Sequence, residues 1–199
     1  SYKDKNVLLK SVATMDSSKL PLALKGLSLR AESEARVKLR TSAELSSKAY
    51  YYEGPFSNSG PIPPRVGEKT TYTISWQIKN SINELSDIRI EAPLSRRVVF
   101  EEKTYPLANK LLYDSKAHSV VWDIGGLSWG VGYIFPVESV AFQVSLTPSE
   151  EARGKTVELV ERTKLSGTDT FTGEFVESFA PALDTTLPND VGIRVGEGV

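Results

Sequence analysis

The stretch that decides the fold is Thr71-Tyr72-Thr73-Ile74-Ser75-Trp76-Gln77-Ile78-Lys79. Large apolar side chains occupy every second position from Tyr72 to Ile78, and polar side chains lie between them. A period of two is that of a β-strand with one buried and one solvated face, whereas a helix would repeat its apolar residues every three or four positions. The pattern therefore predicts a half-buried strand over residues 70–79.

The same alternation returns at Ile88–Leu94, Val120–Ile124 and Val140–Leu146. Turn-forming residues separate these runs, as at Gly125-Gly126 and Thr147-Pro148-Ser149. The predicted strands are 70–79, 86–94, 97–103, 111–113, 119–124, 138–147, 156–166 and 174–187. Short strands at this spacing, in about 120 residues, predict an immunoglobulin-like antiparallel β-sandwich.

The composition excludes several classes of function. The chain has 199 residues and a formal net charge of -1, so no overall field attracts nucleic acid. It has no cysteine, which excludes disulfides, thiolate zinc sites and a cysteine nucleophile. No apolar run approaches the roughly 18 residues that a membrane span needs. We expect no nucleic-acid partner and no membrane span in this segment.

The first part of the chain is too small to fold alone. Alternating apolar residues at Val7 and Leu9 and at Leu20–Leu24 indicate strands, but about 50 residues without disulfides or metals rarely form a stable core. We interpret residues 1–53 as a partial β-sandwich or strand-donating segment. Three arrangements remain open: it packs on the second sandwich, it is the trailing half of a truncated domain, or a strand of a neighbouring subunit completes its edge.

The remaining domain limits follow from composition. Residues 54–67 are rich in Pro, Gly and Ser and are predicted to be a linker, because proline fixes φ and lacks an amide donor. Residues 68–188 form the predicted immunoglobulin-like sandwich, and 189–199 form a tail.

The residues that catalysis would need are sparse. The chain has a single histidine, His118, in a predicted turn where we expect it to be solvated, and no Gly-x-Ser-x-Gly motif. Glu101 and Glu102 are neighbours on a predicted strand and so point to opposite faces. The sequence therefore predicts a structural or binding module and not an enzyme.

Two aromatic residues are candidates for ligand binding. Trp76 and Trp122 fall on inward positions of their strands and are predicted to lie in the core. Trp129 and Tyr133 instead lie in a glycine-rich loop, where exposed rings could stack on sugars. We predict that any ligand-binding aromatic is Trp129 or Tyr133.

A polar loop at 166–174 is a candidate calcium site. Asp169 and Glu174 could supply hard oxygen ligands, although the spacing is not that of a known calcium loop. The alternative is a polar turn in which Asp169 caps the backbone. No other cofactor is expected.

Several motifs together resemble a known family. They are Gly60–Trp76, Tyr113-Asp114, Val121–Gly125, Val140–Ser149, Leu165–Gly173 and Ala182–Pro188. In this order they resemble the immunoglobulin-like conserved repeat domain of large bacterial cell-surface proteins, of the type found in candidate-phylum bacteria. The resemblance implies secreted repeats that build stalks, surface layers, fibres or adhesins, with no catalytic residues to carry over.

These observations predict a structural repeat module of a bacterial cell-surface, surface-layer or filament protein. It would assemble by strand-edge and domain-junction contacts with neighbouring repeats or copies of itself. The alternative is an adhesin or carbohydrate-binding module of a secreted protein, with a host-cell or glycan surface as partner. Either role implies an extracellular location at the cell surface.

Overall fold

The computed structural model describes residues 5–16, 22–24, 30–107 and 110–193. These residues form thirteen strands and two short 3₁₀ helices, at Leu22–Leu24 and Glu150–Ala152. The strands are β1 (Leu8–Asp16), β2 (Arg30–Lys38), β3 (Ala43–Tyr50), β4 (Thr70–Asn80), β5 (Leu85–Pro93), β6 (Val98–Tyr105), β7 (Leu111–Asp114), β8 (Ser119–Leu127), β9 (Glu138–Leu146), β10 (Glu158–Val160), β11 (Thr163–Asp169), β12 (Phe175–Ala180) and β13 (Leu183–Asp184).

Two antiparallel sheets form the body of the molecule. One has four strands in the order β3-β4-β9-β6, and the other has five in the order β12-β11-β5-β8-β7. A small β10-β13 pair and a separate β1-β2 hairpin complete the described structure. The prediction of an all-β, immunoglobulin-like antiparallel sandwich is confirmed.

The core lies between the two sheets and is built from the alternating residues of each strand. Four residues of β4 are completely buried: Tyr72, Ile74, Trp76 and Ile78. The Trp76 ring packs edge to face on the Phe142 ring, with 4.9 Å between the ring centroids. Each such side chain contributes about 1.5–3 kcal/mol by leaving water. The prediction that Trp76 and Trp122 are core residues is confirmed, since Trp122 is also buried.

Strand β3 belongs to the sandwich although it precedes the proline-rich segment. It pairs with β4 from Ala43 opposite Asn80 to Tyr50 opposite Thr73. The Trp76 indole N–H donates to Ser47 Oγ at 3.1 Å, so a core side chain of β4 is bound to β3. Part of the 1–53 segment thus supplies an edge strand in the same chain. The division into 1–53, 54–67 and 68–188 stays a prediction.

The predicted linker lies against the outer face of the four-stranded sheet. The Asn58 amide donates to the Tyr51 carbonyl oxygen at 2.9 Å and to Thr73 Oγ1 at 3.0 Å, and its oxygen accepts from Gln143 at 2.9 Å. The outer face of β4 and β9 is rich in Thr, Ser and Gln, which offers partners to a segment without regular structure. We call residues 54–67 the strap.

The first residues of the predicted tail are also packed. Asp190 is buried, and its carboxylate accepts the Tyr51 and Tyr52 backbone N–H groups at 2.5 and 2.7 Å. Residues 189–193 therefore hold the end of β3 in place. Residues 194–199 lie outside the described residues.

The β1–β2 hairpin stands apart from the core. Its strands pair without a register break, from Leu8 opposite Lys38 to Asp16 opposite Arg30. Every residue of both strands is exposed. Of the predicted 20–24 strand, 22–24 form a 3₁₀ turn and Leu20 lies outside the described residues.

Candidate interaction site at the hairpin pole

The hairpin is attached at one end of the sandwich, which we call the hairpin pole. This end comprises residues 39–42, the β4–β5 turn, the β8–β9 loop and the β11–β12 turn. The Leu39 N–H donates to the Val7 carbonyl oxygen at 2.9 Å, and the Asn6 N–H donates to that of Ile82 at 3.2 Å. All four predicted site residues lie at this pole.

A buried polar network fixes the base of the hairpin. Thr41 Oγ1 donates to Asn80 Oδ1 at 2.7 Å, and the Thr41 N–H donates to Asp169 Oδ2 at 2.8 Å. The Asn83 amide donates to the same Asp169 oxygen and to the Leu39 carbonyl oxygen, both at 2.8 Å. Buried polar networks whose members are paired rigidify a structure, so the chain leaves the sandwich in one defined direction.

Asp169 is the centre of that network. Its Oδ1 accepts the Phe171 and Thr172 N–H groups at 2.9 and 3.1 Å, while its Oδ2 accepts from Thr41 and Asn83. Burial alone would raise the pKa of the carboxyl, but the four N–H donors together lower it below the usual range. Asp169 thus caps the β11–β12 turn, which is the alternative that the sequence offered to calcium binding.

Glu174 has a charged partner of its own. Its side chain is exposed, and its nearest charged partner is Arg40, at 3.7 Å. Among the described residues, no cluster of three His, Cys, Asp or Glu side chains is placed to hold a metal. Calcium binding by Asp169 and Glu174 stays a prediction from the sequence.

One face of the hairpin is charged and internally paired. Lys10 contacts Glu34 at 2.6 Å, Arg36 also pairs with Glu34, and Arg30 lies 3.5 Å from Glu32. Hydrogen bonds from Lys10 and from Arg36 hold the pKa of the Glu34 carboxyl below its usual range. We call this the charged face, formed by Leu8, Lys10, Val12, Thr14, Asp16, Arg30, Glu32, Glu34, Arg36 and Lys38.

The opposite face carries no charge. Residues that are directly opposite in an antiparallel pair share a face, so the register defines this surface completely. We call it the neutral face, formed by Leu9, Ser11, Ala13, Met15, Ala31, Ser33, Ala35 and Val37. Exposed Leu9, Met15 and Val37 lie at its ends, and small residues lie between them.

The candidate aromatic residues lie beside the base of the hairpin. Trp129 is half-buried and packs edge to face on Phe135, with 5.7 Å between ring centroids. Tyr133 is 40% exposed; its hydroxyl donates to Glu44 at 2.7 Å and Lys79 lies over its ring. The two rings lie in one loop, and each contacts other side chains of the same chain. Glycan binding by Trp129 and Tyr133 stays a prediction.

The sequence reasoning missed the rest of this apolar loop. Ile134, Phe135 and Val137 are each at least about one-third exposed and lie next to Tyr133. The sequence feature that could have indicated it is the run Tyr-Ile-Phe-Pro-Val at residues 133–137, which lies in a predicted loop and contains no charged residue. An exposed apolar cluster of this kind is common at interaction surfaces.

The remaining candidates for chemistry have structural partners. His118 lies in the β7–β8 turn as predicted, but it is half-buried and not solvated. Its Nδ1 lies 2.6 Å from the Tyr113 hydroxyl and its Nε2 lies 3.2 Å from the Ser95 carbonyl oxygen. Glu101 contacts Lys69 and Ser145, both at 2.6 Å. Within the described ranges, no helix is long and apolar enough to cross a bilayer.

No protein-family model and no curated protein matches the chain. Among solved structures, it is similar to a variant of BcpA, the major pilin subunit of Bacillus cereus, with 12% identity and a TM-score of 0.44, over 75% of this chain and 44% of that one. It is also similar to the full-length major pilin SpaD of Corynebacterium diphtheriae, with 10% identity and a TM-score of 0.45, over 91% of this chain and 59% of that one.

A third similarity is to the Fcho1 mu homology domain of Danio rerio, with 11% identity and a TM-score of 0.34, over 78% of this chain and 49% of that one. The chain therefore spans about half the length of these structures. Similarity this weak is found with proteins of different roles, and we draw no function from it.

Proposed function

We propose that this chain is a structural repeat module of a bacterial cell-surface, surface-layer or filament protein, which associates with neighbouring copies or repeats at the hairpin pole. The observation that carries the proposal is the β1–β2 hairpin, whose two nine-residue strands are exposed on both faces.

An isolated two-stranded hairpin is marginally stable in water, because neither face is covered. This one would extend about 30 Å from the sandwich at the usual rise per residue. The buried Thr41–Asp169 network anchors its base. A rigidly anchored, uncovered hairpin is a feature of a module that a neighbour completes, and the exposed loop at 133–137 adds apolar surface beside it.

The side chains of the types that enzymes use in catalysis have structural hydrogen bonds in this chain, which agrees with a structural role. His118 is bound to a hydroxyl and a backbone carbonyl, and the buried carboxylates of Asp169 and Asp190 accept backbone N–H groups. These hydrogen bonds give each of the three side chains a role within the fold. The module is thus proposed to be non-enzymatic, with its work done by surfaces.

Sedimentation velocity over a concentration series, with electron microscopy of the same samples, tests the proposal. We expect reversible association of the wild-type chain, and loss of it on Leu9→Asp with Met15→Asp, which place charge on the neutral face. Leu112→Asp is the matched control, because Leu112 is an exposed leucine of β7 in the sandwich. A wild-type chain that stays monomeric throughout would contradict the proposal. Antibody labelling of intact source cells tests the location.

A further inference from the structure

We propose that β1 is the assembly edge and that it pairs antiparallel with β1 of a second copy of this chain, about a two-fold axis at Val12. The result would be a four-stranded sheet, β2-β1-β1-β2, that joins two sandwiches. This inference rests on the proposed function and names the partner and the register.

β1 lacks the protection that two edge strands of the sandwich, β6 and β7, carry. Natural proteins keep exposed edges from pairing by making them short, bulged, charged or interrupted by proline. The edge strand β6 has a register break between Phe100 and Thr104, and the edge strand β7 has only four residues. β1 runs for nine residues with no proline and no register break.

The charge pattern along β1 is compatible with pairing to a second β1. Pairing about Val12 places Leu8 opposite Asp16, Leu9 opposite Met15, Lys10 opposite Thr14 and Ser11 opposite Ala13 of the other copy. No like charges oppose each other, and Lys10 is already ion-paired to Glu34 of its own hairpin. Like charges directly opposite are destabilising in a sheet, so β1 is compatible with itself.

The other edge of the hairpin fails the same test. The equivalent pairing of β2 about Glu34 places Glu34 opposite its own copy and Arg30 opposite Lys38. Only Glu32 would oppose an unlike charge, on Arg36. Charges thus protect β2 as an edge, and in the described part of the chain β1 is the edge of the hairpin without that protection.

The neutral face and the charged face of the hairpin would each continue across the proposed contact. In the proposed register, odd-numbered residues of β1 oppose odd-numbered residues, so the two neutral faces join into one uncharged surface. Because a shift of one residue would place neutral residues opposite charged-face residues, the face pattern restricts the register. The exposed Val12 side chain meets only its own copy at the axis.

A single cysteine tests the register, since the chain has none of its own. Directly opposite residues of an antiparallel pair have Cα atoms about 4.5 or 5.5 Å apart, and both distances allow a disulfide. We expect Val12→Cys to form a covalent dimer with oxidised glutathione. Ser33→Cys on β2 is the control: its two copies would lie at least about 14 Å apart and should not cross-link.

A charge swap tests the axis without chemistry. Val12→Lys and Val12→Glu should each weaken association about fivefold, and an equimolar mixture of the two chains should recover it. Only a pairing in which residue 12 meets itself predicts this recovery. Circular dichroism and tryptophan fluorescence should show unchanged folds, because Val12 is outside the core.

The outcomes separate the two proposals. Cross-linking of Val12→Cys but not Ser33→Cys, with recovery in the mixture, supports the pairing. Equal cross-linking of both variants, or of neither while the wild type still associates, overturns the pairing and leaves the proposed function standing. A wild-type chain that stays monomeric overturns both.

Discussion

Replacing Asp169 with asparagine probes how the hairpin is anchored. The substitution keeps the shape of the side chain but turns one acceptor oxygen into an NH₂ group. Each oxygen accepts two N–H donors, so two buried donors would face another donor. An unsatisfied buried donor costs about 1–3 kcal/mol, and with partial relaxation we expect a loss of about 3 kcal/mol in the free energy of unfolding.

The pH dependence has a definite sign. The pKa of Asp169 is lowered in the folded chain, so its stabilisation is fully present above the unfolded-state pKa, which is near 3.8. It is lost as the pH falls through the lower folded-state pKa. The difference in stability between the wild type and Asp169→Asn should therefore be constant near neutral pH and shrink in acid.

Urea denaturation followed by tryptophan fluorescence measures both effects. Asp123→Asn is the matched control, because Asp123 is exposed on β8 and its change should stay within about 0.5 kcal/mol. Hydrogen exchange at the Thr41 amide, which donates to Asp169, reports on the hairpin base directly. A loss below about 1 kcal/mol for Asp169→Asn, independent of pH, would refute this account of the network.

Three further predictions concern the strap, the core and calcium. Gly60→Ala should lower the free energy of unfolding by at least about 2 kcal/mol, because the Gly60 φ is +101° and a Cβ there would lie 2.3 Å from a backbone oxygen. Gly67→Ala is the control: a Cβ there meets nothing within 4 Å, so the loss should be about 1 kcal/mol. Thermal unfolding measures both losses. Trp76→Phe loses the hydrogen bond to Ser47 and leaves a void, so urea denaturation followed by circular dichroism should show a loss of about 2–3 kcal/mol. Because both carboxylate oxygens of Asp169 already accept N–H donors, added calcium should leave the melting temperature unchanged. A melting temperature that rises with calcium concentration would support the calcium prediction instead.

The sandwich strands could be read from the sequence because each has one buried face. The predicted 70–79 strand is observed at Thr70–Asn80, and the predicted 111–113 strand at Leu111–Asp114. The predicted 156–166 strand is in fact two, β10 and β11, which pair with different partners. A change of partner leaves no mark on local alternation, so the sequence could not show it.

The site was only partly predictable, because its key contacts join distant parts of the chain. The capping role of Asp169 was visible as a local alternative, since its Phe171 and Thr172 donors are two and three residues away. Its other donors, Thr41 and Asn83, lie 128 and 86 residues away. Nothing in a single sequence specifies such pairs.

The hairpin shows most clearly what alternation alone cannot decide. The alternating apolar residues Val7 and Leu9 indicate a strand with one covered face, but they do not say whether the cover lies in the same chain. The structure leaves both faces open, so folding of the described residues does not account for a face without charge opposite a face of paired charges. The difference between the neutral face and the charged face would be explained if a partner covers one of them. Because β2 has five charged residues and β1 has only Lys10 and Asp16, the edge of β1 is the better candidate for that contact.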